Sequence, residues 1–333
     1  VAEKIREALA RPYRIKSHEH HSSPSVGISL FRGNEKSVDE LVQQADMAMY
    51  QAKGAGRNAV RFFDPAMQKS VATRAALEND LHHAIALGQM QLHYQVQVDN
   101  RKRPVGAEVL LRWHHPQRGL VMPGQFIPIA EESMLILDIG DWVLDQACRQ
   151  LARWAGNERT RDLVLAVNVS AKQFSQPNFV EKISGMLHAH GTVPSRLKLE
   201  LTESLVLHDL KTTVSKMHAL KAIGIGLSMD DFGTGYSSLA YLKDLPLDQL
   251  KIDQSFIRGI TQGGNDALLV RTIIDMAENF RMAVIAEGVE NRTQLEFLER
   301  HECEAYQGYL FGQAVTIEEF EAMLDQPLPW QEE

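Results

Sequence analysis

The chain has 333 residues, 44% of them hydrophobic and 23% charged, the composition of a soluble globular protein with room for one large domain and a smaller one. Its formal net charge of -8 argues against a general binder of nucleic-acid polymers, which carries a basic face. Cys148 and Cys303 lie far apart without metal-ligand spacing, which fits a reducing cytoplasm and no zinc site, and no apolar stretch is long enough to span a membrane.

Val1 to Ala10 has helical spacing, with Ala2, Ile5 and Leu9 on one side. Ser17 to Pro24 reads as a polar turn. Its histidines His18, His20 and His21 are better explained as a solvated loop than as a metal cluster. Ser25 to Phe31 is strand-like. Ser37 to Lys53 is an amphipathic helix opened by a capping box, Ser37 with Glu40, and stopped at Gly54-Ala55-Gly56. Ala59 to Phe63 closes this small α+β unit, residues 1–64. Asp64-Pro65 then breaks the pattern, and residues 65–87 read as a connector helix that can equally be the first helix of the next domain. The start at Val1 without Met reads as an excised piece of a longer protein, whose sensor or membrane anchor would lie outside it. This piece is expected in the cytoplasm with no membrane contact of its own.

From Met90 strands alternate with helices. Candidate strands are Gln91 to Val98, Val105 to Trp113, Leu163 to Val169, Leu197 to Leu201, Ile225 to Met229, Gln249 to Ile252, Ala283 to Ala286 and Ala305 to Gln307. Helices are expected at Gly140 to Trp154, Asn178 to His190, Thr212 to Ile223 and Asp266 to Phe280. Eight strands with intervening helices over about 240 residues match a (β/α)8 TIM-like barrel, an α/β fold, here over residues 88–325 with a tail at 326–333. The alternative, a doubly wound open sheet, normally carries a glycine-rich turn after its first strand, and none is present. The link from Asp99 to Pro104 is too short for a crossover helix, so the first strand is expected to be antiparallel to the second.

Polar residues mark the strand ends. Glu108 lies in the second strand, Asn168 ends the third, Glu200 and Glu203 the fourth, and Asp230-Asp231 the fifth. Lys251 and Asp253 end the sixth, Glu287 the seventh and Gln307 the eighth. In a barrel these ends converge on one face. Carboxylates gathered there repel each other and lose hydration, so they need cations. An all-oxygen set selects magnesium or manganese over zinc, and such ions let an acidic protein bind a phosphate ester. Singly, each acid is most simply a cap or a loop charge; the conjunction is the signal. Asp230-Asp231 entering Phe232-Gly233-Thr234-Gly235 is the most specific part, because adjacent carboxylates can contact two ions and the glycines permit a tight loop.

The segment Gly106-Ala107-Glu108-Val109-Leu110-Leu111-Arg112-Trp113 resembles the signature strand of EAL-domain phosphodiesterases, with Val109 where the family has Ala. Further matches follow in family order: Ala166 to Ser170, Glu200 to Ser204, Asp230 to Ser238 (DDFGTGYSS), Lys251-Ile252-Asp253, Ala286 to Glu290 (AEGVE) and Gln307 to Gly312. The resemblance covers roughly residues 80–325, and it implies hydrolysis of cyclic di-GMP to linear pGpG with two magnesium or manganese ions. By that pattern Glu108, Asn168, Glu200 and Asp230 hold one ion, and Asp230, Asp231 and Glu287 the other. Lys251 would hydrogen-bond the attacking water and Glu287 would accept its proton, while calcium, with longer bonds and looser geometry, would inhibit. Arg112 matches a phosphate-contacting arginine. Gln95, Leu110, Asp253 and Gln307 match positions beside substrate or metal. Glu203 matches the anchor of the loop from Asp231 to Ser238, a loop that in the family supports a homodimer through the barrel. Gln95-Val96 replaces the common Gln-Pro; neither departure removes a ligand.

Ser25 to Ser29, Ala45 to Lys53 and Gly54 to Asn58 resemble the C-terminal half of a GGDEF (diguanylate cyclase) domain. The half with the GGDEF signature is absent from this chain, so no cyclase activity is expected of residues 1–64. Two competing readings have clear discriminators. A non-hydrolysing cyclic di-GMP receptor would have lost ligands or scrambled the loop, which this chain has not done. An enolase-like enzyme with Lys251 as base would need no phosphate clamp such as Arg112.

Overall fold

The computed structural model describes residues 1–15, 18–20, 22–33, 36–54, 56–233, 242–262, 264–326 and 330. They form two compact units, Val1–Asp80 and Leu81–Glu333.

In the first unit a helix, Ala2–Leu9, precedes a short ribbon in which Tyr13–Ile15 pairs antiparallel with His18–His20. The polar stretch expected to be a turn thus contains a strand. The ribbon is held by backbone pairing and by the Tyr13–His20 ring stack, with centroids 6.0 Å apart, cross-strand contacts that composition alone does not signal. His21 of the histidine cluster lies outside the described residues. Val26–Ile28 and Val60–Phe62 pair in parallel and are joined through the helix Val38–Gly54. The first of these strands is shorter than expected: Leu30 and Phe31 fall beyond it, 74% and 64% exposed. Gly27 is required by close approach, since a Cβ there would sit 1.9 Å from the Ala45 carbonyl oxygen. The capping box forms as read: the Ser37 amide donates to Glu40 Oε2 at 2.8 Å, and the Glu40 amide to Ser37 Oγ at 3.2 Å. The long helix Pro65–Ala84 starts with proline in its first turn, and Asp64 Oδ1 accepts from the Ala66 amide at 2.9 Å.

The second unit is a closed barrel of eight strands: β1 (Met90–Asp99), β2 (Pro104–His115), β3 (Val164–Val169), β4 (Leu197–Thr202), β5 (Gly226–Phe232), β6 (Gln249–Ile252), β7 (Ala283–Ala286) and β8 (Ala305–Gln307). From β2 to β8 each strand runs parallel to the next. β1 is antiparallel to both β2 and β8 and closes the ring, which rules out the open sheet. The reversal is made by a tight turn in which Asp99 Oδ1 accepts from the amides of Arg101 (2.9 Å) and Arg103 (2.8 Å).

The antiparallel start has a packing consequence. β1 alternates Gln91, His93, Gln95 and Gln97 with Leu92, Tyr94, Val96 and Val98, and it has no crossover helix to cover its apolar face. The C-terminal helix Ile317–Leu324 does so, with Phe320 at 6.1 Å from the Tyr94 ring and stacked at 5.7 Å on Trp154 of the helix Ile136–Trp154. Glu321 Oε1 locks the pair by accepting from Gln150 Nε2 (3.0 Å) and Trp154 Nε1 (2.8 Å). Between β2 and β3 the chain also forms a strand, Gly119–Val121, and a helix, Pro123–Glu132, that sequence reading left unassigned. Pro128 inside that helix removes the usual signature. Among the described residues no helix is long and apolar enough to cross a membrane. Cys148 and Cys303 are buried free thiols, each pushed up to about 12 by burial.

Candidate active site

Strand register brings the polar residues together. Gln95 on β1 stands directly opposite Glu108 on β2, Gln97 opposite Gln307 on β8, and Asn168 on β3 beside Glu200 on β4. Because the side-chain period of a strand is two, Gln95, Gln97 and Glu108 face one interior. There Glu108 accepts from Asn168 Nδ2 and from Gln307 Nε2, both at 2.6 Å. Gln307 Nε2 also donates to Gln95 Oε1 at 3.0 Å, and its Oε1 accepts from Gln97 Nε2 at 2.8 Å. Gln97 has no counterpart among the sequence-derived candidates; the signal available was its place two residues after Gln95 on the same face.

Lys251 is the centre of this network. Fully buried on β6, its Nζ lies 2.6 Å from Glu200, 2.6 Å from Glu287, 3.3 Å from Asp230 and 3.6 Å from Glu108. Burial opposes its charge, but the acids Glu108, Glu200, Glu287 and Asp230 outweigh that and hold the ammonium well above the usual lysine range. One cation does not satisfy four acids. Burial pushes Glu200 well above the usual carboxylate range despite Lys251, with Glu108, Asp230 and Glu287 adding to the rise. Glu287 is pushed up to about 7 by burial, partly offset by Lys251 and reinforced by Asp230 and Glu108. Glu108 is lowered: burial acts against it, but Lys251 and the donors Gln307 and Asn168 outweigh burial.

The donor set fits hard divalent cations on the structure's own terms. Glu200 Oε1 is buried without a hydrogen-bond partner, and four carboxyl groups share the single ammonium of Lys251, so the set has oxygen ligands to spare for added cations. Among the described residues no three acids, histidines or cysteines already close round one point; the ammonium stands between them.

These raised affinities predict how the metal-free protein responds to pH. Glu287 binds its proton more tightly folded (about 7) than unfolded (4.5), so its contribution is present below about 4.5 and is lost as pH rises through about 7. Metal-free protein should lose up to about 3 kcal/mol of stability from this group between pH 5 and 8. Magnesium should raise the melting temperature most at the alkaline end. A melting temperature flat across this range with and without magnesium would contradict the charge balance described.

The remaining candidates fall as follows. Asp231 is exposed beside Asp230, has φ of 53°, and is raised by burial and by the charges of Asp230 and Asp253. Such left-handed backbone in a residue other than glycine is uncommon and clusters at functional sites. The turn continues through buried Phe232 and Gly233 (φ 93°); Thr234 and Gly235 lie outside the described residues. Glu203, 5% exposed, opens the short helix Glu203–His208. Asp253 caps the helix Gln254–Gly259, accepting from the Ser255 amide at 2.9 Å and from the Ser255 hydroxyl. Arg112 is half-buried, lowered by that burial, and donates from Nη1 to the Leu111 carbonyl at 3.0 Å.

A cleft of about 280 Å³ opens over these acids and includes Gln95, Glu108, Leu110, Asp230, Glu287 and Gln307 in its wall. Its rim adds residues that had not been singled out: Gln254, Arg258, Gly288, Glu290, Gly308 and Tyr309. Four of these sit inside motifs quoted for the resemblance, whereas Gln254 and Arg258 had no signal but their place after β6. Gly288 has φ of 65°, and a Cβ there would meet Gln254 Cβ at 2.5 Å, so glycine lets the chain turn away from the acids at the end of β7.

The molecule is thus a TIM-like barrel with an antiparallel first strand and an acid-rich site, centred on a buried lysine, at the C-terminal ends of the parallel strands. The EAL domain model matches residues 78–314, and the chain belongs to that family; residues 1–59 match the diguanylate cyclase GGDEF domain model. Among curated relatives, a bifunctional diguanylate cyclase/cyclic di-GMP phosphodiesterase of Pseudomonas aeruginosa, MucR, is 43% identical over 320 residues, covering 96% of this chain and 47% of the relative. The cyclic di-GMP phosphodiesterase NbdA of the same organism is 36% identical over 329 residues, covering 97% and 41%. This chain therefore spans less than half the length of either relative. A solved structure described as the PaMucR phosphodiesterase in complex with c-di-GMP is 44% identical with a TM-score of 0.71, covering 74% of this chain and 99% of that one.

Proposed function

We propose that the barrel hydrolyses cyclic di-GMP to linear pGpG, using two magnesium or manganese ions. The observation that carries this reading is the acid set around fully buried Lys251 beneath an open cleft, in a chain 36–43% identical to proteins described as cyclic di-GMP phosphodiesterases. Glu108, Asn168, Glu200 and Asp230 would hold one ion, and Asp230, Asp231 and Glu287 the other. When bound, such ions supply Lewis acidity towards a water and offset charge on the leaving oxygen.

The chain's own residues supply the rest. Lys251 stays cationic and can donate to an attacking water while holding Glu200 and Glu287 in place. Glu287 lines the cleft and is assigned to accept the proton of the attacking water. Gln307 fixes Glu108 from behind, and Gln95 and Gln97 fix Gln307, so Glu108 does not have to reorganise during reaction. Arg112, Leu110 and Asp253 are assigned to substrate, with Asp253 acting from its cap position. Glu203 is assigned to anchoring the loop from Asp231 to Ser238, and two barrels would pair through that loop as a homodimer.

Incubating the purified chain with cyclic di-GMP and each metal, then separating the nucleotides, tests the reading. Magnesium and manganese should yield pGpG. Calcium, with longer bonds and looser geometry, should bind yet suppress turnover by at least about tenfold. Tight binding without pGpG in any metal would leave a receptor, and stimulation by calcium would overturn the site as assigned.

A further inference from the structure

We infer that Arg258 binds the second phosphate of the cyclic dinucleotide, the one that is not cleaved. This rests on the phosphodiesterase reading above and extends it to a residue that neither motif nor strand-end pattern marks.

The argument begins with charge. The cleft wall carries Glu108, Asp230, Glu287 and Glu290, and Arg258 is the one cationic side chain lining it among the described residues. A cyclic dinucleotide brings two phosphodiester anions. The acids round Lys251, loaded with divalent ions, can receive one of them. The other, facing carboxylates that would repel it, needs a cation on the wall itself; Arg112, also assigned to phosphate, lies on β2 outside that lining, so the contact proposed for Arg258 is additional to it.

Arg258 is also placed and held for that role. It sits on the helix Gln254–Gly259, which leaves the C-terminal end of β6 directly after Lys251 and the cap Asp253, so it stands at the mouth of the same barrel face. Its Nη2 donates to Gln254 Oε1 at 2.9 Å. Gln254 in turn packs against the backbone of Gly288, also in the cleft wall. A guanidinium has five N–H donors, so this one bond orients the fork and leaves donors for a phosphate oxygen pair. The ordinary alternative is a surface arginine paired with the residue one turn back. Such a residue would not contribute to ligand affinity.

The test uses the whole chain with Arg258→Ala and Arg258→Lys. Dissociation constants for cyclic di-GMP are measured by calorimetry in calcium, and KM and kcat in magnesium. Arg258→Ala should raise both Kd and KM about tenfold, the scale of one partly exposed charge-assisted contact, with kcat within about threefold of the unaltered chain. Arg258→Lys should recover only part of the loss, because it keeps the charge but loses the bidentate fork. Melting temperatures without ligand should match. Kd and KM within twofold of the unaltered values in Arg258→Ala would overturn the inference, as would a fall in kcat with KM unchanged. The two levels separate cleanly. If the unaltered chain binds but does not cleave, hydrolysis is refuted and Kd alone decides Arg258. If it does neither, the substrate reading fails and Arg258 with it.

Discussion

Replacing Lys251 by methionine is expected to destabilise the metal-free protein by about 3–5 kcal/mol and to lower turnover by at least about a hundredfold. Methionine keeps most of the volume, so the loss reads charge and not a cavity. The cause is the arrangement of four carboxylates within 3.6 Å of one buried ammonium. Breaking a buried pair from one side leaves the other charge uncompensated, and here Glu200 and Glu287 lose their shortest contacts. Protons can partly take the place of the missing cation, because burial already raises Glu200 and Glu287. The deficit should therefore be larger at pH 8 than at pH 5. Magnesium should restore much of the stability, since added cations offset the same acids, but not the turnover, which also needs the ammonium as donor. Chemical denaturation at both pH values, with and without magnesium, measures all of this. A metal-free Lys251→Met protein as stable as the unaltered one would mean that the acids are protonated and the lysine is not what holds them.

Glu108→Ala should behave in the opposite way, losing at least about a thousandfold in turnover while costing no more than about 1–2 kcal/mol of stability. Gln307 Nε2 loses its 2.6 Å acceptor but keeps Gln95 Oε1 at 3.0 Å, and Asn168 is exposed towards solvent and can turn to water. Lys251 loses its most distant acid, at 3.6 Å, and retains the other three. The acid cluster also sheds one unit of repulsion, which works in the variant's favour. The loss of activity follows from the ligand assignment alone: calorimetric titration with manganese should register weaker binding, with one site lost. Turnover within tenfold of the unaltered chain would show that Glu108 is not a ligand. The contrast between the two variants, one losing stability and activity and the other activity alone, separates the residue that holds the site together from one assigned to an ion.

Much of the barrel was legible because its signals are local. β6, β7 and β8 begin and end where the apolar runs do, and β1 and β2 extend only one or two residues beyond them. The antiparallel first strand followed from a link too short to hold a helix, a constraint of chain length that no packing can override. Other elements were hidden for equally physical reasons. Pro128 masks the helix Pro123–Glu132, and the ribbon at His18–His20 depends on a cross-strand partner rather than on its own composition. The covering of β1 by the C-terminal helix rests on contacts such as Gln150 with Glu321, 171 residues apart.

The same division runs through the site. The sequence by itself determined that polar side chains stand at successive strand ends from β2 to β8, because strand ends and residue types are properties of short segments. It also determined that this set is rich in oxygen ligands and lacks a thiol or imidazole. Only the closed barrel decided that these ends meet, with Gln307 at 2.6 Å from Glu108 across 199 residues of chain. Closure also makes Lys251, one more cation on paper, the buried centre that four acids share, and it sets Arg258 on the wall of the same cleft. Burial, and with it the raised affinities of Glu200 and Glu287, belongs to no single segment, since it exists only once every strand excludes water from the others.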